Sequence, residues 1–74
     1  MIKENEIGVK AGEIWTLLYF KGALSIRKIG EFTHLREIVL YLSLGWLSKE
    51  NKIYFFEKDG STHVGINPVP EVFY

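Results

Sequence analysis

The chain has 74 residues, 47% hydrophobic and 15% aromatic, which is material for one small core and leaves no room for a second domain. It has no cysteine, which excludes disulfides and thiolate metal sites. Nine Lys and Arg balance nine Asp and Glu, and a net charge of zero excludes a chain that holds nucleic acid by overall charge.

Residues 1–74 read as a single domain with an ordered core over about residues 8–67 and a tail at 68–74. The lead-in Met1 to Gly8 has mixed charge, with Ile2 and Ile7 as its only anchors. It lacks the apolar centre of a signal peptide, and no run approaches the roughly 18 apolar residues that cross a bilayer. The expected location is cytoplasmic, with no membrane partner. From about Lys10 to Lys21 apolar residues fall at helical spacing, with Ala11, Ile14, Trp15 and Leu18 on one side. Gly22 stands where a left-handed residue ends such a helix. After a bridge at Ala23-Leu24, Ser25 is placed as the N-cap of a short second helix. Ile26, Ile29 and Phe32 point its apolar side inward, and Arg27, Lys28 and Glu31 face out. Thr33 and His34 break that helix. A third runs from about Leu35 to Lys49, with Leu40, Leu44 and Leu47 along its core side, and Glu50-Asn51 closes it.

The remainder is β. Asp59-Gly60 is a two-residue hairpin turn, and centring the register there pairs Lys58 with Ser61, Phe55 with Val64, and Ile53 with Ile66. A period of two then puts Ile53, Phe55, Val64 and Ile66 on the inner face and Tyr54, Phe56, His63 and Gly65 on the outer. Pro68 and Pro70 disfavour regular structure beyond the hairpin. The predicted core is Ile14, Trp15, Leu18, Ile29, Leu40, Leu44, Leu47, Ile53, Phe55 and Val64.

Helix, bridge, helix, tight turn, helix and hairpin is the order of a winged helix-turn-helix, an α+β fold of three helices followed by a two-stranded wing. The helix-turn-helix spans Leu24 to Leu47 and the wing Lys52 to Ile66. The apolar spacing from Leu24-Ser25-Ile26 through Leu35, Leu40, Leu44, Leu47 and Ile53, with Ile14-Trp15 and Gly45-Trp46-Leu47, resembles a small bacterial winged-helix family of unknown function. The resemblance covers residues 8 to 66 and implies a fold rather than a function, since winged helices bind DNA, RNA and proteins alike. Two positions depart from the pattern. His34 replaces the usual turn glycine and is expected to adopt positive φ. Arg36 stands where a small N-cap is usual, and Thr33 is expected to serve instead.

The third helix carries most of the functional information. A DNA reader presents Arg, Lys, Asn, Gln, Ser or Thr opposite its core side. Here that side holds Ile38, Val39, Tyr41, Leu42, Gly45 and Trp46, and Arg36 is its only conventional groove-reading residue. A helix apolar all round needs cover all round. The N-terminal arm or the tail Val69 to Tyr74 could supply it; the favoured cover is a second copy of the chain, across Ile38, Val39, Leu42, Gly45 and Trp46. Arg27, Lys28, Arg36 and Lys58 are the candidate contacts for weak DNA binding, with ordinary solvated charge the plainer reading. Tyr54, Phe56 and His63 could stack on bases, but packing under the tail is favoured because no basic residue interleaves with them in the sequence.

Catalysis finds little support. His34 and His63 lie on separate elements without metal-ligand spacing, Ser25 is a cap, and the glycines are dispersed. The expectation is a non-enzymatic interaction module without cofactor, metal or small-molecule substrate, forming a homodimer through its third helix. The alternative is a DNA-binding transcriptional regulator that uses the helix-turn-helix and wing.

Overall fold

The computed structural model describes residues 2–68. Its elements are α1 (Glu4–Lys21), β1 (Leu24–Ser25), α2 (Ile26–Thr33), α3 (Glu37–Lys49), β2 (Ile53–Lys58) and β3 (Ser61–Ile66). The strands form one antiparallel sheet in the order β1-β3-β2, with the helices packed on its inner face. The expected α+β winged helix is present, and the hairpin register is as predicted: Ile53 opposite Ile66, Phe55 opposite Val64, and Lys58 opposite Ser61. Asp59 and Gly60 both take positive φ, 52° and 76°, the conformation of a type I′ turn whose twist matches that of its strands.

Helix one starts at Glu4 rather than near Lys10. Ile7, Ala11, Ile14 and Leu18 form one buried stripe along it, and Glu4 and Glu6 favour its positive N-terminal end. Gly8 and Gly12 weaken the helical signal locally, but packing overrides propensity: a Cβ on Gly8 would rest 3.6 Å from the Trp46 ring. Gly22 donates its N–H to the Leu18 carbonyl at 2.8 Å. Its φ of 83° and ψ of −169° lie in a positive-φ region open essentially to glycine alone, not the left-handed helical one, and turn the chain toward β1. The Ala23-Leu24 bridge is therefore partly β: Leu24 and Ser25 pair with Val64 and His63, giving three strands where two were expected.

Ser25 caps α2 as predicted, its Oγ accepting the Lys28 N–H at 3.1 Å. His34 takes the left-handed conformation at φ 57° and donates its N–H to the Gly30 carbonyl. Thr33 does not cap the next helix. Its hydroxyl donates to the Ile29 carbonyl at 2.8 Å and accepts the Leu35 N–H at 3.4 Å, so it seals the turn from the α2 side. Arg36 is the N-cap of α3 without a side-chain bond, and the helix begins at Glu37 rather than Leu35. Asn51 is left-handed, as its position after α3 suggested. The Asn67 side chain donates to the Asn51 and Ile53 carbonyls, each at 3.1 Å, and ties the end of β3 to the start of β2.

The core joins Ala11, Ile14, Leu18, Ile29, Leu40, Leu44, Leu47, Ile53 and Val64, with Trp15 half-buried against it. Phe55 is a correction, since it stays 45% exposed. Val64, opposite it, lies on the central strand with Leu24 on its other side. Phe55 lies on the edge strand β2 and has a strand neighbour on one flank only. Ser43 on α3 is fully buried, and its hydroxyl has no hydrogen-bond partner. An unpaired buried hydroxyl carries a desolvation cost with no compensating bond, and alanine has the higher helix propensity. Ser43→Ala is therefore expected to raise stability by about 1 kcal/mol, measured by urea denaturation; a loss of that size would mean that the hydroxyl is paired in solution.

Candidate functional site

The helix-turn-helix places α3 with one side on the core and one side outward. On the outward side Ile38 is 56% exposed, Tyr41 53% and Leu42 46%. Gly45 is exposed on the same side, with nothing within 4 Å of where a Cβ would stand. These residues follow one another at helical spacing and form an apolar stripe. Val39 does not belong to it. Predicted as an interface residue, it is 3% exposed and therefore unavailable to a partner. It falls on the α3 flank that also buries Ser43, one turn further along. Trp46 is half-buried, its ring lying over Gly8 of α1. The N-terminal arm thus covers part of the stripe by becoming helix.

What remains open borders an apolar groove of about 370 Å³ between the first turns of α1 and the outer side of α3, lined by Ile7, Tyr41, Leu42, Gly45 and Trp46. Glu4 and Lys49 also line it, and neither takes part in an ion pair among the described residues. Sequence reasoning missed Glu4 and Ile7 because it began the first helix too late. The signal was present in the spacing Ile7, Ala11, Ile14, Leu18. The alternative cover, Val69 to Tyr74, lies outside the described residues.

A cleft of about 590 Å³ lies within the helix-turn-helix, between α2, α3 and β3. Arg27 lines it, but so do Glu31 and Glu37. Arg27 and Lys28 both approach Glu31, at 3.4 Å each, so part of their charge is already matched. Of the four predicted nucleic-acid contacts, Arg27, Lys28 and Lys58 come together around a second cleft, between the start of α2 and the wing. Arg36 lines neither cleft and stands apart at the N-cap of α3.

On the outer face of the wing, the Tyr54 and Phe56 ring centroids are 5.6 Å apart, and those of Phe56 and His63 are 5.4 Å apart. His63 Nδ1 lies 3.0 Å from the Ser61 carbonyl, which suits an Nδ1–H donor. His34 and His63 stay on separate elements, and the described residues contain no group of three or more His, Asp or Glu placed to hold a metal ion. None of the described helices is long and apolar enough to cross a membrane.

The family model "Winged helix-turn-helix domain (DUF2582)" matches residues 1–65, and the chain belongs to that family. Among solved structures, the solution NMR structure of a protein from Bacteroides thetaiotaomicron is similar over 92% of both chains, with a TM-score of 0.72 and 23% sequence identity. That likeness is one of fold. No curated protein matches the chain.

The charge pattern of the helix-turn-helix cleft has a direct consequence for duplex DNA. Each bidentate base contact adds about 1–3 kcal/mol of discrimination, and at the N-terminal end of α3, which enters the groove in a DNA reader, Arg36 alone is suited to one. Titration against a pool of duplexes at near-physiological salt is expected to give weak, salt-sensitive binding without sequence selection. Nanomolar selection of one sequence, relaxed by Arg36→Ala, would establish α3 as a base reader instead.

Proposed function

We propose that this winged-helix domain is a non-enzymatic interaction module that self-associates through α3. The observation that carries the reading is the exposed stripe Ile38, Tyr41 and Leu42 on the helix that a DNA-binding relative would point into a groove. Exposed leucines scattered singly are ordinary; three large apolar residues on successive turns beside an apolar groove are not. Gly45 lets a partner backbone approach closely at the middle of that surface.

A second copy fits the surface better than an unlike partner. In a two-fold interface residue i of one copy meets residue j of the other and j meets i, so a suitable patch carries both members of each complementary pair. Glu4 and Lys49 stand along the same groove with opposite charges and no ion-pair partner among the described residues. Apolar groups at the centre with complementary charges at the rim are the usual anatomy of such contacts. The alternative, a transcriptional regulator, could use the same stripe as its dimer seam and would then need another surface for DNA.

The test is Leu42→Glu followed by sedimentation. Burying a large apolar side chain contributes roughly 1.5–3 kcal/mol, and a two-fold interface counts it twice. The wild type is expected to sediment as a dimer at micromolar concentration. The variant should be a folded monomer, its dimer dissociation constant raised at least about 100-fold. A monomeric wild type at high micromolar concentration would overturn the reading. So would a variant that unfolds, since Leu42 would then be core.

A further inference from the structure

The wing has an outer face that the α3 interface leaves untouched. Tyr54, Phe56 and Lys58 alternate along β2 and so share that face, and across the ladder they meet Gly65, His63 and Ser61. The three rings form a continuous row with interplanar angles of 30° and 35°. Gly65 sets the pose of the first. A Cβ there would fall 2.5 Å from Tyr54 Cζ, so the end of the Tyr54 ring lies over the bare glycine backbone, in the space that a side chain there would fill. The row leads into the cleft of about 480 Å³ that His63 lines together with Arg27, Lys28 and Lys58. Arg27 and Lys28 stand far from Lys58 and His63 in the sequence, and the pairing of β1 with β3 brings them to the rings.

We propose that this face binds single-stranded nucleic acid, its bases stacking on Tyr54, Phe56 and His63 and its phosphates meeting Arg27, Lys28 and Lys58. A row of exposed aromatic rings beside a cationic groove is what unstacked bases on a charged backbone require, because every base has a π-face and every linkage a negative charge. Duplex DNA does not suit the site, since its base faces are already stacked on one another. Glu31 and Asp59 also line the cleft, so its three cations are offset by two carboxylates. Binding is therefore modest and carried largely by the rings. A salt slope no steeper than about −2 follows, at roughly −0.7 for each phosphate met.

The experiment is fluorescence anisotropy of a labelled oligothymidylate at low salt with the full chain, alongside a duplex of equal length and inorganic polyphosphate as competitor. The single strand is expected to bind at least about tenfold more tightly than the duplex. Phe56→Leu, which keeps apolar bulk and removes a ring, should weaken it about tenfold, the effect of one lost stack. Gly65→Ala should lift the Tyr54 ring and weaken binding while the domain stays folded. Arg27→Gln combined with Lys28→Gln should flatten the salt slope. Leu42→Glu should bind as the wild type does, which separates this site from the α3 interface. Amide chemical shifts of the wild type should move at residues 54–65 and 23–31 on adding the oligonucleotide, a readout that needs no variant. Equal affinity for duplex, full competition by polyphosphate, shifts confined to α3, or no saturable binding would each overturn the proposal.

Discussion

The crossing of α1 over α3 decides which surfaces of this domain are left for function. It is built from small groups: Gly8 lies under the Trp46 ring, Ala11 is buried on α1, and Ser43 is buried on α3. Starting at Glu4, α1 is long enough to lay Gly8 against Trp46, which lies one turn beyond Ser43 on the α3 flank that also holds Val39. Toward the flank that holds Tyr41 and Leu42 it brings Glu4 and Ile7, which border the groove without burying those two side chains. A shorter first helix would leave both flanks bare; the observed one narrows the exposed stripe to a single face with a groove beside it.

Charge is distributed to similar effect. On α2, Glu31 sits within 3.4 Å of both Arg27 and Lys28, which lowers the potential of the surface that a helix-turn-helix turns toward phosphate. Exposed pairs of this kind add little stability, about 0–1 kcal/mol. Their importance here is electrostatic, since every matched cation is one fewer available to release counterions from DNA. Arg27 and Lys28 also line the wing cleft with Lys58, beside the aromatic side chains of the sheet, and Glu31 offsets part of their charge there too.

Two surfaces of different chemistry thus occupy opposite purposes on one small fold. The α3 side offers aliphatic groups around an exposed glycine, suited to a packed protein contact. The wing offers ring faces beside cations, suited to planar, negatively charged ligands. A domain of this size can hold both because the sheet and α3 contribute to the core through separate faces: Val64 and Ile53 from one, Leu40, Leu44 and Leu47 from the other.

The sequence by itself determined the order of elements, the hairpin register and most of the core. These follow from local rules: helical spacing in Ile14, Leu18, Leu40, Leu44 and Leu47, period-two alternation around Asp59-Gly60, and an N-cap serine whose hydroxyl reaches the third amide beyond it. The positive φ of His34 and Asn51 was legible for the same reason, since each marks where a helical pattern stops. Only the tertiary structure decided the rest. Whether Val39 or Leu42 faces solvent depends on where a distant helix crosses, and the apolar pattern of α3 is the same in either case. Phe55 obeys the alternation yet lies exposed, because burial on an edge strand depends on what stands at its open flank. The two-residue strand β1 is too short to announce itself. Its pairing with β3 nonetheless brings Arg27 and Lys28 to Lys58 and His63, a juxtaposition that spacing along the chain cannot encode.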